Sequence, residues 1–360
     1  MAKSNYYGLI LAGGRGTRFW PLSRKNRAKQ VLPFFGGRSL IQQTVDRLKP
    51  VLPPERMWIL TNEVLRDEIL RQLPEVPPRQ ILAEPAQRNT APAIGLAAKI
   101  LHGLDHDAVM GVFPSDHIVL RPARFLRFVR AAYHTGASGR LTVLGIQPRW
   151  PETGYGYIEF PENVRPGSLT AFPVHRFREK PELKAAKRYV AAGNYAWNGG
   201  MFFWRAATLL GELQKYLPKT ASLLNSLPLF TDRQFMPRLA DLFPRAENIS
   251  IDFAVMEKSK IVSGLLCDDV GWNDVGSWDA VYELEKHDHA GNTVRGMAVF
   301  TEESGGNYVN APGKLVAMVG VKDLVVVDSP DALLICRRDQ AQKVGDVVKL
   351  LEMEKLDDLL

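Results

Sequence analysis

Tyr7-Gly-Leu-Ile-Leu-Ala-Gly-Gly-Arg-Gly-Thr-Arg18 is the stretch on which the reading of the chain turns. Tyr7 to Ala12 is a short continuous apolar run, the pattern of a strand buried on both faces. It leads directly into Gly13, Gly14 and Gly16. Glycines at a strand end let the backbone approach an anion closely, and the free amides of the turn can donate to phosphate oxygens. Arg15 and Arg18 add permanent charge in planar forks that suit phosphate. The turn is neither the ordered GxGxxG of dinucleotide binders nor the GxxxxGK[ST] of P-loops. Such a junction, standing alone, also serves purely structural roles.

Outward from this stretch, strand-like and helix-like segments alternate. Residues 39–49 carry helical apolar spacing, 57–61 read as a strand, 63–72 as a helix and 81–83 as a strand. A small-residue helix follows at 89–104, then a strand at 108–113, a helix at 121–135 and a strand at 141–146. This rhythm predicts an α/β fold: a Rossmann-like mixed, mainly parallel sheet with helices on both faces. The character changes near Asp288, where short β-like pieces with glycine and asparagine turns begin, and a helix is expected at 339–351. The expected domains are therefore 1–287, α/β, and 288–360, small and β-rich with a terminal helix. No convincing internal repeat is visible.

Composition narrows the function classes. The chain has 360 residues, 46% hydrophobic and 24% charged, as in ordinary globular proteins. No apolar run is long enough to span a bilayer, and residues 1–7 lack the apolar core of a signal peptide. The two cysteines, Cys267 and Cys336, argue against a disulfide framework and fit a reducing cytoplasm. The net charge is +7, with the main basic cluster at Arg15, Arg18, Arg24, Lys25, Arg27 and Lys29, beside the glycine turn. A phosphate ligand explains that placement better than a nucleic-acid duplex, which needs a long stripe. No membrane partner is expected.

Phe19-Trp-Pro-Leu-Ser23 and Ala28-Lys29-Gln30-Val31-Leu32-Pro33 follow the turn. With them the chain resembles the sugar-nucleotide pyrophosphorylases, whose shared pattern runs GGxGTRL-x-PL(S/T) and then PK near the next strand. The resemblance implies that Leu11, Ala12, Gly13, Gly14, Gly16 and Thr17 hold a nucleoside triphosphate. It also implies that Arg18 and Lys29 stabilise charge as the α-phosphorus is attacked. Phe19 stands where the family has leucine and Ala28 where it has proline. No charge is lost, but Ala28 is expected to loosen the loop that aims Lys29.

Glu84-Pro-Ala-Gln-Arg-Asn-Thr-Ala-Pro-Ala93 is similar to the EPxxRNTAPA stretch of the mannose-1-phosphate guanylyltransferase branch. Guanine presents an N1–H and an exocyclic amine side by side, and a carboxylate facing that edge selects it over adenine. Glu84 is the favoured reader, with Arg88, Asn89 and Thr90 shaping the loop. A helix N-cap at Asn89 or Thr90 is the competing account, and both can hold. In Phe113-Pro-Ser-Asp-His117, Ser115 and Asp116 lie beyond a strand end, where open α/β sheets present ligands. A hard carboxylate there can hold Mg²⁺ against triphosphate oxygens. His117 has no His or Cys at ligand spacing and is read as packing or orienting Asp116. The resemblance supplies the second carboxylate in Gly271-Trp-Asn-Asp-Val-Gly-Ser-Trp278, where Asp274 would complete the metal site. Asp268, Asp269 and Asp279 are read as solvated or capping.

Three further segments resemble the family's sugar pocket: Thr153-Gly-Tyr-Gly-Tyr-Ile-Glu159, Phe177-Arg-Glu-Lys-Pro181 and Asn198-Gly-Gly-Met-Phe-Phe203. They place Gly154, Tyr155, Gly156, Glu179, Lys180 and Asn198 at the sugar phosphate. A carboxylate and an amide orient hydroxyls, and a cation meets the phosphate. Ser250-Ile-Asp-Phe-Ala-Val-Met-Glu-Lys258 matches the guanylyltransferase branch and adds Asp252, with a Ser250 to Asp252 helix cap as the rival account.

The resemblance runs from Tyr7 to about Leu351. It implies transfer of GMP from GTP to mannose 1-phosphate, with Mg²⁺ or another divalent cation, in the cytoplasm. Longer relatives continue into a cupin-type isomerase domain; this chain stops at Leu360, so that second activity is expected to be absent. A homodimer through the small domain is compatible with the sequence. Three rivals are kept in view: the same reaction on glucose 1-phosphate with ATP, UTP or dTTP; a non-catalytic sugar-nucleotide sensor; and a dinucleotide oxidoreductase. The Glu84 and Ser250 motifs oppose the first, the four retained charges at Arg18, Lys29, Asp116 and Asp274 the second, and the missing GxGxxG the third.

Overall fold

The computed structural model describes residues 5–360. Their contacts divide the chain into two compact units. The first holds residues up to Gly13, Val45–Ser115 and Val119–Trp272. The second holds Gly14–Thr44, Asp116–Ile118 and Asn273–Leu360.

The first unit is built on the expected mixed, mainly parallel sheet. Seven of its ten strands are β1 (Tyr6–Leu11), β2 (Met57–Asn62), β3 (Ile81–Glu84), β4 (Val109–Pro114), β5 (Leu141–Ile146), β6 (Tyr195–Arg205) and β7 (Val262–Cys267). They lie in the order β3-β2-β1-β4-β6-β5-β7. β1 to β4 pair in parallel, β6 runs antiparallel to both neighbours, and β7 is parallel to β5. Successive strand residues face opposite ways, so complete burial of Leu9 and Ile10 in β1, and of all of β5, requires cover on both faces. Helices provide that cover: α1 (Leu40–Leu48), α2 (Glu63–Gln72), α3 (Thr90–Leu104) and α4 (Pro122–Ala137) are the four read from apolar spacing. α2 begins at Asn62, whose side chain accepts from the Leu65 N–H at 3.0 Å. α3 begins at Asn89, which caps Thr90 at 2.9 Å with its own φ at 62°, a left-handed value asparagine tolerates.

The core of the second unit is aromatic. Phe19 and Phe34 pack edge-on to each other and to Trp278, and the Trp278 indole donates to the Trp20 carbonyl at 3.1 Å. Phe19 is 1% exposed, so the departure from leucine fills this cluster. Around it the C-terminal stretch coils. β8 (Thr293–Arg295), β10 (Tyr308–Asn310) and β12 (Leu324–Asp328) stack in parallel; β9 (Ala298–Glu302) and β11 (Leu315–Val319) stack on a second side; Gly305 bridges Lys322 on a third. The coils are locked by asparagines. Buried Asn307 donates to Asn292 Oδ1 at 2.9 Å and to the Val321 carbonyl at 3.1 Å, and its own Oδ1 accepts from the Leu324 N–H at 3.0 Å. The segment is therefore a short coiled repeat that its sequence does not betray. One inward asparagine per coil is nearly all the identity that stacking requires. β13 (Leu333–Arg337) runs back antiparallel, and the expected terminal helix divides into a 3-10 turn, Arg338–Lys343, and α5, Val344–Met353.

Candidate active site

In the second unit the glycine turn closes on Lys29. Gly16 sits at φ 63° with its Cα against Lys29, and its carbonyl accepts from the Ser23 hydroxyl at 2.7 Å. Gln30 Nε2 donates to the Gly14 carbonyl at 3.0 Å. Thr17 and Arg18 follow in a 3-10 turn, with the Arg18 side chain exposed. Lys29 lies on its own 3-10 turn, and only 7% of its side chain is exposed. Its Nζ donates to Asp116 Oδ2 at 3.0 Å and to the Asp274 carbonyl at 2.6 Å, and it stands 5.4 Å from the centre of the Phe19 ring. Ala28, before it, is 1% exposed, and the Gly16, Asp116 and Asp274 contacts hold the lysine from several sides.

Lys29 thus joins three of the four charged residues singled out in the sequence, meeting Asp116 through its carboxylate and Asp274 through its backbone carbonyl. Burial alone would raise the Asp116 carboxyl; the Lys29 ammonium and nearby His117 outweigh it and hold the group below the ordinary carboxylate value. His117 Nε2 lies 3.9 Å from Asp116 Oδ1. Asp274 occupies space that a side chain at Gly276 would take, since a Cβ there would stand 3.0 Å from Asp274 Oδ2. Among the described residues no three His, Cys, Asp or Glu side chains converge on one point. Mg²⁺ is commonly held by one or two carboxylates plus phosphate oxygens and not by an all-protein cage, so two carboxylates beside the glycine turn fit that ion. Asp268 and Asp279, read as solvated or capping, are ion-paired instead: Asp268 with Arg124 at 2.5 Å and Asp279 with Arg338 at 2.7 Å. Asp269 pairs with Arg121 and also accepts from the Gly271 N–H at 2.9 Å.

The motifs that carry Glu84, Gly156, Glu179, Asn198 and Asp252 lie in the first unit. Leu11 ends β1; the Ala12 N–H donates to the Leu60 carbonyl at 2.7 Å, and the Ser115 N–H to Leu11 at 3.1 Å. Glu84 ends β3 near Gly13, where a Cβ would stand 3.5 Å from its Oε2. Glu84 Oε1 is buried with no hydrogen-bond partner, and burial pushes the carboxyl up to about 8. Gln87, which the sequence reading passed over, donates to the Gly13 carbonyl at 2.9 Å. Arg88 donates through Nε to the Pro244 carbonyl at 2.8 Å, a loop-shaping contact. The Thr90 hydroxyl accepts from the Ile251 N–H at 2.9 Å and joins this loop to the Ser250–Asp252 segment.

Gly156, Glu179, Asn198 and Asp252 come together. Asn198 Nδ2 donates to Asp252 Oδ1 at 2.9 Å, and the Asn198 N–H donates to the Gly156 carbonyl at 2.8 Å. A side chain at Gly156 would collide with Glu179 Oε2, which is buried and unpartnered. Burial, then Asp252 and Glu257, push the Glu179 carboxyl up to about 7, with Lys180 opposing. Burial also raises Asp252. Asp252 opens a π-helix, Asp252–Met256, a form that often marks functional sites. Asn198 sits at a β-bulge in β6, which re-aims its side chain. Lys180 is 66% exposed and 3.9 Å from Glu179, and Tyr155 packs against Trp197 and Trp272. The Gly154 N–H donates to Glu152 Oε1 at 2.8 Å.

These motifs have close counterparts in known proteins. The Nucleotidyl transferase family matches residues 7–291, and the MannoseP isomerase/GMP-like beta-helix domain matches 299–351. A mannose-1-phosphate guanylyltransferase of Klebsiella pneumoniae is 39% identical over 353 residues, 96% of this chain and 74% of that protein. One from Escherichia coli K12 is 40% identical over 367 residues, 99% of this chain and 75% of that protein. A solved structure described as mannose-1-phosphate geranyltransferase from Thermus thermophilus matches with a TM-score of 0.86 at 34% identity, covering 97% of this chain and all of that one. The chain belongs to the nucleotidyl transferase family, in its mannose-1-phosphate guanylyltransferase branch.

Proposed function

We propose that the chain transfers GMP from GTP to mannose 1-phosphate, releasing pyrophosphate and forming GDP-mannose. The observation that carries this reading is the buried Lys29 ammonium, bonded to Asp116 and to the Asp274 carbonyl beside the glycine turn. A phosphate oxygen of the sugar phosphate attacks the α-phosphorus in line; the bond from that phosphorus to the β-phosphate oxygen breaks, and pyrophosphate leaves with the electron pair. The nucleophile is already an anion, so no general base is needed, and the protein's task is positioning and charge stabilisation. Arg18 and Lys29 meet the charge that builds on the phosphoryl oxygens and leaving group. The backbone from Leu11 to Thr17, with Ser115, borders the phosphates. A magnesium ion on Asp116 and Asp274 supplies further charge neutralisation when bound.

Glu84 reads guanine. Its orphaned Oε1 is the kind of buried acceptor that a pair of N–H donors satisfies. Glu179, Asn198 and Asp252 orient the sugar hydroxyls, with Gly154, Tyr155 and Gly156 lining the pocket and Lys180 meeting the anomeric phosphate. Pyrophosphate release across four nucleoside triphosphates and four sugar 1-phosphates tests the assignment; a maximum away from GTP with mannose 1-phosphate would sink it.

We further take residues 1–287 as the catalytic domain and 288–360 as a domain that makes a homodimer. Met297, Phe300, Leu315 and Val319 on the coiled segment are 57 to 74% exposed, an apolar face that a second copy would cover. Phe300→Glu is expected to give a monomer by light scattering; an unchanged mass would exclude this face. Both cysteines are free, in keeping with a cytoplasmic enzyme, and no helix among the described residues is long and apolar enough to cross a membrane.

A further inference from the structure

Gln342 and Glu352 lie far from the signature motifs, yet they hold the two arginines of the glycine turn. Arg15 Nη2 donates to Glu352 Oε1 at 2.6 Å, and Arg18 Nη1 donates to Gln342 Oε1 at 2.7 Å. Both acceptors come from the C-terminal helical segment: Gln342 from the 3-10 turn, Glu352 from the last turn of α5. Gly345 of α5 lies beside Thr17 and Arg18, close enough that a Cβ there would stand 3.5 Å from Arg18 Cγ. All of these residues belong to the second unit.

The two bonds differ in kind. Gln342 is a neutral acceptor that engages one of the five N–H donors of a guanidinium. It sets the plane of Arg18 and leaves the charge and the remaining donors for phosphate. Glu352 carries a full negative charge and neutralises Arg15. Any polyanion that uses Arg15 must first displace that carboxylate. The pair is 44% and 38% exposed, and exposed pairs of this kind are weak enough to be displaced.

We infer that the C-terminal helical segment tunes the phosphate affinity of the glycine turn, with Glu352 a built-in competitor for Arg15 and Gln342 a positioning residue for Arg18. The inference rests on reading Gly13–Arg18 as the triphosphate turn. It gives the coiled C-terminal segment a part in the reaction, because that segment delivers both acceptors to the loop.

The test is calorimetric titration of inorganic pyrophosphate and of GTP into the full chain, Glu352→Gln, Arg15→Ala and the double variant. Glu352→Gln is expected to tighten pyrophosphate binding about threefold in the natural background and not at all in Arg15→Ala. Equal tightening in both backgrounds would mean a general field effect. No tightening would mean no competition. Either result overturns the competitor role. Gln342→Met keeps the side-chain length without a strong acceptor. It is expected to lower kcat at saturating GTP about tenfold, with the GTP Kd within twofold and an unchanged melting temperature. Native kcat, or an equal loss in Kd, would overturn the positioning role. Should Arg15→Ala and Arg18→Ala both bind GTP as the natural chain does, the turn assignment itself fails, a result distinct from failure of the inference.

Discussion

A Cβ on Gly16 would stand 2.5 Å from Lys29 Cβ and 2.8 Å from the Lys29 backbone nitrogen, so the turn and the buried lysine share one packed contact. Gly16 also holds φ 63°, which other residues adopt at a cost. Gly16→Ala is therefore expected to displace Lys29 and lower kcat by about two orders of magnitude or more. Single-turnover kinetics beside a thermal melt would check this; a native rate would show that the aim of Lys29 does not depend on the turn.

Asp116→Asn and Asp274→Asn separate two roles that the sequence treats alike. Each removes a carboxylate of the proposed metal pair, and each is expected to cut kcat by orders of magnitude in Mg²⁺. Their stabilities should differ. Asp116 pairs with Lys29 through its side chain, so Asp116→Asn leaves a buried ammonium short of its counter-charge at a cost of about 2 kcal/mol. Asp274 holds Lys29 through its carbonyl, which survives the substitution. Urea unfolding of the two variants is the check, and equal destabilisation would contradict the distinction.

Glu84 links the proposed base recognition to pH. Its carboxyl is raised to about 8 by burial, well above its value in an unfolded chain. Below about pH 4.5 the group is neutral in both states and contributes nothing. As pH rises toward 8, the unfolded chain ionises while the folded chain keeps its proton, so stability is progressively lost. Glu84→Gln is therefore expected to stabilise the free protein at pH 8.5 by on the order of 2 kcal/mol, with little change at pH 4.5. The same substitution should weaken GTP binding, and in the natural protein GTP affinity should rise with pH through about 8 as the carboxylate forms. Melting curves and titrations at several pH values decide it; a pH-independent affinity would remove Glu84 from the base site.

Arg18→Ala and Lys29→Ala are each expected to cost about 3 kcal/mol in the transition state, roughly a hundredfold in rate, with smaller effects on GTP affinity. Lys29→Arg should rescue little, because the side chain is 7% exposed and wedged between Asp116 and the Phe19 ring. Loss of affinity with an unchanged saturated rate would make these residues anchors only.

Asn307 tests the coiled segment. It is fully buried, and its amide makes three bonds between coils. Asn307→Ala orphans the Leu324 N–H and removes one of two donors to the Val321 carbonyl, which keeps the Gly305 N–H at 3.2 Å, and is expected to destabilise the second unit by about 2 to 3 kcal/mol. Hydrogen exchange of residues 293–328 would report the loss; native protection there would show that the asparagine ladder is dispensable.

The sequence by itself determined the α/β architecture and singled out the residues of the candidate site. Apolar period and glycine punctuation are local signals, and they marked β1 to β5 and α1 to α4 to within a residue or two. Motif chemistry was equally local: a carboxylate, amide or cation at Glu84, Asn198 or Lys29 is legible where it stands. Partnership was not. Only the tertiary structure decided that Lys29 reaches Asp116 and the carbonyl, not the carboxylate, of Asp274, and that Arg15 and Arg18 are held from Glu352 and Gln342. The coils locked by Asn292 and Asn307 were hidden for the same reason. A hydrogen bond between residues hundreds of positions apart constrains one donor and one acceptor, and it leaves no period, spacing or composition for a linear reading to find.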